Sequence, residues 1–202
     1  MMLLTGSNIE SSLETLAALR LEIFQEYPYL YDGRREDELC YLKSYAVAPD
    51  ACVILVQESG TFVGAVTGMP LIHEDTQLLE AFTRNSRAVE GLYYVGELLL
   101  YQGFRNRGLG SRLLEQMESH IRTLGKYHHL TCATLERPDD HPARPEDYIP
   151  ITRFLAHTQF ALCQASPRSF PGWKQMGSSE STPCSSGSRS CRDGVAIMAS
   201  GR

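Results

Sequence analysis

Two apolar periods alternate along this chain, one near 3.6 residues and one near 2, and the switches between them outline its elements. In "IESSLETLAALRLEIFQE" (9–26), Leu13, Leu16, Leu19, Leu21 and Phe24 recur near helical spacing between charges, which predicts a helix. Pro28 breaks it, Asp32 and Gly33 turn the chain, and a second helix is predicted over 35–45. "ACVILVQESGTFVGAVTGMPL" holds two β-branched apolar runs around Glu58, Ser59 and Gly60, a hairpin signal. Residues 73–90 are polar and fit either a helix or a loop. "GLYYVGELLL" (91–100) is apolar almost throughout, as in a strand covered on both faces and central in its sheet. Leu109, Leu113, Met117, Ile121 and Leu124 mark one face of a helix ending near Gly125. "YHHLTCATL" reads as a further strand, "RPDDHPARPEDYIP" as a proline-rich connection and "ITRFLAHTQF" as a short helix. This order predicts a mixed α/β (α+β) fold, a mixed central sheet flanked by helices, with no internal repeat.

Between the central strand and the long helix stands "YQGFRNRGLG". A helix start leaves backbone N–H groups without intrahelical partners and carries partial positive charge. Gly108 and Gly110 keep that start free of Cβ obstruction, and Arg105 and Arg107 add cationic donors, so the turn suits a phosphate or diphosphate. It is not a Walker loop, because no Lys follows the second glycine, and its glycines do not have the GxGxxG spacing of the dinucleotide fingerprint.

Composition narrows the classes. A formal charge of −5 over 202 residues argues against a general nucleic-acid binder, which would carry a basic face, so no nucleic acid is expected as a partner. No apolar run approaches the roughly 20 residues needed to cross a bilayer, so no membrane is expected as a partner. "MMLLTGSNIE" has neither the basic nor the long apolar region of a secretory signal. Six cysteines contain no CxxC pair, hence no zinc framework and no thioredoxin-like motif, and their scatter points to a reducing, cytoplasmic setting. His128 and His129 are strand neighbours that point to opposite faces and make no metal pair; no metal is expected. The sequence places no His or Asp beside Cys132, which is therefore not read as a nucleophile.

Strand "GELLL", then "RNRGLG", then helix "SRLLEQMESHIRTLG" resembles motif A of the GNAT superfamily of N-acetyltransferases, [Q/R]xxGx[G/A], matched in full by Arg105, Gly108 and Gly110. The hairpin "VILVQESGTFVGAVTG" is similar to the second and third strands of that fold. "EYPYLYDG" and "HPARPEDYIP" further resemble a bacterial subgroup of undefined acceptor. The likeness spans about residues 9–160 in element order. It implies acetyl-CoA as co-substrate in a cleft beside the central strand. Backbone groups of Leu98, Leu99 and Leu100 would bond the pantetheine amides as an added strand does. The diphosphate would rest on the N–H groups of Arg105, Asn106, Arg107, Gly108, Leu109, Gly110 and Ser111.

The implied reaction is direct attack of a primary amine, on a small molecule or a peptide, at the thioester carbonyl. It needs a general base, a donor for the developing oxyanion and an acid for the leaving thiolate. Glu97, a carboxylate set within the apolar strand beside the implied cofactor leucines, is the candidate base, and a structural carboxylate that pairs with Arg or caps a neighbouring element explains it equally well. Tyr148 in "PEDYIP", a segment expected near the cleft's exit, is the candidate acid, a role the resembled superfamily often gives to tyrosine; burial for packing is the favoured alternative. His141 and Arg144 are candidates for lining the acceptor pocket, with exposed loop polarity the favoured explanation. A homodimer is compatible with the resemblance. The alternative reading, from a different class, is a non-catalytic acyl-CoA-binding sensor; the loop alone suits both, and Glu97 favours the enzyme.

Residues 1–163 are read as one acetyltransferase domain and 164–202 as an irregular tail. That tail is serine-rich, without periodicity, and lacks the two strands with which the resembled fold finishes. Shifting "QASPRSFP" and "PCSSGSR" by one nucleotide, with permissible codons, yields strand-like segments, so a frame-altered tail is the expectation.

Overall fold

The computed structural model describes residues 1–83, 89–158, 161–163 and 194–201. Strand β1 (Met2–Thr5) leads through a 3-10 helix (Gly6–Ser12) into α1 (Leu13–Ile23), and α2 (Arg35–Val47) follows. β2 (Cys52–Glu58) and β3 (Thr61–Pro70) form the expected hairpin. Its two-residue turn holds Ser59 and Gly60 at φ 48° and 85°, the left-handed pair that matches strand twist. Then come α3 (Thr76–Thr83), β4 (Leu92–Leu100), α4 (Leu109–Leu124), β5 (His129–Glu136), α5 (Ile151–His157), β6 (Ala161–Cys163) and β7 (Gly194–Gly201).

The seven strands make one sheet in the order β1-β2-β3-β4-β5-β7-β6. Only β4 and β5 pair in parallel, and α4 supplies the crossover such a pair requires. Both faces are covered, which is why the strands read as apolar runs rather than alternating ones. Cys52, Ile54 and Val56 pack with α4, while Val53 and Leu55 pack with α1 and α2. The α4 stripe predicted from sequence is buried at Leu109, Leu113, Met117 and Ile121. Each such side chain contributes about 1.5–3 kcal/mol by leaving water. Gly125, at φ 65°, ends the helix where expected.

Some expectations need correction. The helix expected over 9–26 starts as a 3-10 segment and stops at Ile23, because the chain folds back there: Tyr31 N–H bonds Phe24 O at 2.8 Å. β1 is a four-residue edge strand without alternation, too short for a pattern to reveal. The tail is not wholly irregular, since β7 pairs antiparallel with β5 along its whole length and β6 pairs with β7. "GVAIMAS" is an apolar, β-branched run hidden behind the serine-rich stretch. The segments behind the frame-altered reading, 164–171 and 183–189, lie outside the described residues. No described helix is long and apolar enough to cross a membrane.

Two irregularities of the sheet place the site. β3 and β4 pair Thr67 with Glu97 and then Gly68 with Val95, so Gly96 is the extra residue of a β-bulge. β4 and β5 pair only over residues 92–94 and 129–131, although both strands continue.

Candidate active site

Beyond Tyr94 and Thr131 the two parallel strands part, and a cavity of about 530 Å³ opens between them. β4 lines it with Val95, Gly96, Glu97, Leu98 and Leu100, and β5 with residues 132–135. Tyr101 N–H donates to Val63 O of β3 at 3.1 Å. Backbone direction alternates along a strand, so the polar groups of Leu99 also face β3, and those of Leu98 and Leu100 face the cleft. Leu100 O accepts from Arg105 Nε at 2.9 Å. Leu98 N–H and C=O and Leu100 N–H thus lie on a strand edge that β5 has left unpaired. Leu99 is not brought to this edge: its side chain packs in the core under α1 and α2.

The start of α4 borders the same cavity through Arg105, Asn106, Gly108, Gly110 and Ser111. Gly108 is the N-cap, in the left-handed region at φ 76°, and no side chain caps the helix. Its carbonyl takes the first helical bond, from Arg112 N–H at 3.1 Å, so Leu109, Gly110 and Ser111 have no intrahelical partner for their N–H groups. A Cβ on Gly110 would stand 3.3 Å from the Phe154 ring, in space the glycine leaves open. Asn106 is left-handed too, at φ 59°, a conformation asparagine tolerates. An uncapped helix start with this open cradle fits a diphosphate.

The arginines behave differently from the expectation of cationic donors. Arg105 Nη1 pairs with Glu26 at 2.6 Å, and its own N–H is taken by Gln102 O at 3.2 Å. Arg107 reaches away to Glu58 of the hairpin at 3.1 Å and lies over the Phe104 ring. The leucine between the two glycines, Leu109, points into the core. Apart from the Arg105 side chain, already paired with Glu26, what the turn offers the cavity is main chain.

Glu97 is buried on the bulge and lines the cavity. Its Oε1 accepts from Arg20 Nη1 and its Oε2 from Thr67 Oγ1, while its N–H donates to Thr67 Oγ1 at 3.1 Å. Arg20 also donates through Nε to Glu38, and its guanidinium lies between the rings of Phe24 and Tyr41, 4.8 and 4.5 Å from their centroids. Burial alone would lower the Arg20 pKa; Glu97, helped by Tyr41 and Glu38, outweighs it, and the net direction is upward. The Tyr45 hydroxyl occupies the place a Gly96 Cβ would take, bonding Thr67 and sitting 3.2 Å from the Tyr41 hydroxyl. The bulge glycine is therefore what admits a hydroxyl beside the Glu97 carboxylate. An ionised carboxylate has about four lone-pair sites, so Glu97 retains capacity to accept from a ligand.

The roof of the cavity comes from the connection between α1 and α2 and from the segment before α5. Arg137 ties the first down by donating from Nε to Pro28 O and from Nη2 to Tyr29 O, the latter at 3.1 Å. Tyr148 lines the cavity, packs edge-on against Tyr27 at 4.6 Å, and has its pKa raised by burial and then by Tyr27, so its hydroxyl keeps its proton. Burial, and after it Tyr148, pushes Tyr29 up to about 12. His141 and Arg144 do not line the cavity; they pack behind it on Tyr27 and Tyr148. Cys132 lines it on β5.

Sequence reading missed Arg20, Thr67, Tyr27 and Tyr29. Arg20 left a signal: with Leu16 and Phe24 it forms an i, i+4 row on the buried face of α1, where a charge demands a partner.

A profile of the acetyltransferase (GNAT) family matches residues 16–145 of this chain. No curated protein matches it by sequence. Among solved structures it is similar to an aminoglycoside 6'-N-acetyltransferase complexed with coenzyme A, at 12% identity and TM-score 0.60, covering 100% of this chain and 97% of that one. It is similar to yncA from Salmonella typhimurium with its cofactor acetyl-CoA, at 10% identity and TM-score 0.60, over 100% and 93% of the two chains. A ribosomal-protein-alanine N-acetyltransferase from Brucella melitensis aligns at 12% identity and TM-score 0.58 over 100% of both. These identities speak for the fold, and the profile match covers well over half of the sequence. This chain belongs to the acetyltransferase (GNAT) family and is an enzyme of it.

Proposed function

We propose that this enzyme moves an acetyl group from acetyl-CoA to a primary amine of a small molecule or peptide by direct attack. The observation that carries the reading is one cavity bordered by an unpaired strand edge, an uncapped helix start and a buried carboxylate. Acetyl-CoA, as co-substrate, supplies the activated thioester. Leu98 and Leu100 offer main-chain groups to the pantetheine amides, as an added strand would receive them. The N–H groups of Leu109, Gly110 and Ser111, approached past Gly108 and Asn106, hold the diphosphate. Glu97 takes the proton an ammonium must lose before its nitrogen can attack, while Arg20 and Thr67 fix the carboxylate. Tyr148, kept protonated, donates to the departing sulfur.

Thiol release from acetyl-CoA in the presence of amines tests the reaction. Glu97→Gln should retain the heat of acetyl-CoA binding and lower kcat by about 10²–10⁴-fold, the usual contribution of a positioned base. Unchanged turnover removes Glu97 from that role. Binding without thiol release by any amine favours the acyl-CoA sensor instead.

A further inference from the structure

The geometry points to the class of acceptor this cavity takes: a small amine with one ammonium on an otherwise uncharged, apolar or aromatic body. The inference rests on the acetyltransferase reading above and adds what that reading leaves open.

Charge is the first observation. Among the described residues, only Glu26, Glu97 and Arg105 bring charged side chains to the cavity lining, and Glu26 is already neutralised by Arg105 at 2.6 Å. Behind Glu97, the single guanidinium of Arg20 serves two carboxylates, Glu38 and Glu97, with all three side chains at 1–2% exposure. The trio therefore carries one net negative charge out of water, and the member open to the cavity is Glu97. Glu74, nearby and also buried, brings no positive charge to offset it. A buried charge without a partner is strongly unfavourable, so a cation at Glu97 completes the group. One ammonium suffices. A second has no free carboxylate waiting in the lining and would lose its hydration unpaired. A carboxylate on the acceptor would instead confront Glu97 with like charge.

The character of the lining is the second observation. Ile23, Phe24, Tyr27, Tyr29 and Tyr148 line the part of the space under the roof, and Phe154 lines it beside Gly110. The rings pair as Phe24 with Tyr29 at 4.5 Å and Tyr27 with Tyr148 at 4.6 Å, giving an aromatic enclosure suited to an apolar body, with ring faces that suit an ammonium. The Tyr27 hydroxyl is buried with no partner among the described residues, which leaves one hydrogen bond for a neutral polar group on that body.

The test is steady-state acetylation by the intact chain, read by thiol release and product mass, with phenethylamine, phenylalanine and spermidine as acceptors. Phenylalanine adds only a carboxylate to phenethylamine, and spermidine replaces the ring with further cations. Phenethylamine is expected to show kcat/KM at least tenfold above both others. Equal or higher kcat/KM with phenylalanine or spermidine overturns the inference and leaves the transferase reading standing. Calorimetric binding of acetyl-CoA with no thiol release from any of the three overturns it too, and counts against the transferase reading itself.

Discussion

Arg20→Met takes the single guanidinium out from between Glu38 and Glu97 while keeping most of the side chain's volume between Phe24 and Tyr41. Both carboxylates then stay buried without their cation. Removing one partner from a buried pair costs about 3–5 kcal/mol, and with two carboxylates sharing one partner the upper part of that range applies. Methionine keeps dispersion contacts with the two rings and loses only their cation–π component, about 1–2 kcal/mol when desolvated. Urea unfolding monitored by circular dichroism reads the result. With a slope of about 2 kcal/mol per molar, the midpoint should fall by about 2 M. Arg20→Met combined with Glu38→Gln and Glu97→Gln removes the orphaned charges as well as the cation, and should recover most of the loss. A drop below about 1 kcal/mol for the single variant, or a triple variant no more stable than it, refutes the claim that the trio is a coupled buried group.

Gly96→Ala places a methyl against the Tyr45 hydroxyl and 3.2 Å from Thr67 Oγ1, so it should destabilise by about 1–3 kcal/mol, as overpacking does. Tyr45→Phe in the same chain should return part of that loss, and a purely additive cycle in thermal melts contradicts the packing account. Glu74 is pushed up to about 7 from the ordinary 4.5, by burial first and then by Glu97. The native state thus holds a proton that the unfolded chain releases near pH 4.5, so this contribution to stability is present below 4.5 and lost as pH rises through 7. Its size is about 3 kcal/mol. The stability of Glu74→Gln relative to wild type should rise across that window and be flat above pH 8; a difference independent of pH rules the shift out.

How much could be read in advance differed by element, for physical reasons. The α4 stripe, the β2–β3 hairpin and the glycines of "RNRGLG" declare themselves because their signals are local: a period, a turn pair, an N-cap. The Arg20 trio is not local. Its partners lie 18 and 77 residues away, so the charge in the α1 stripe is visible while its purpose is not. The divergence of β4 and β5 leaves no mark either, since both segments read as complete strands and only their register shows where pairing ends. Their place beside the glycines likewise makes Arg105 and Arg107 look like anion donors, whereas Glu26 and Glu58, distant in sequence, engage both guanidinium groups. The resemblance groups Leu99 with its neighbours, but a strand turns every second residue the other way.

The most direct measurement is a calorimetric titration comparing coenzyme A with pantetheine, which lacks the diphosphate and the 3'-phosphoadenosine beyond it, in wild type and in Gly108→Ala. Three charge-assisted bonds from the α4 amides, each about 1.5–3 kcal/mol, require coenzyme A to bind well over tenfold more tightly, one per chain. Gly108→Ala, which puts a Cβ on a residue at φ 76°, should narrow that gap. No heat with coenzyme A, or equal affinity for the two compounds, contradicts the account.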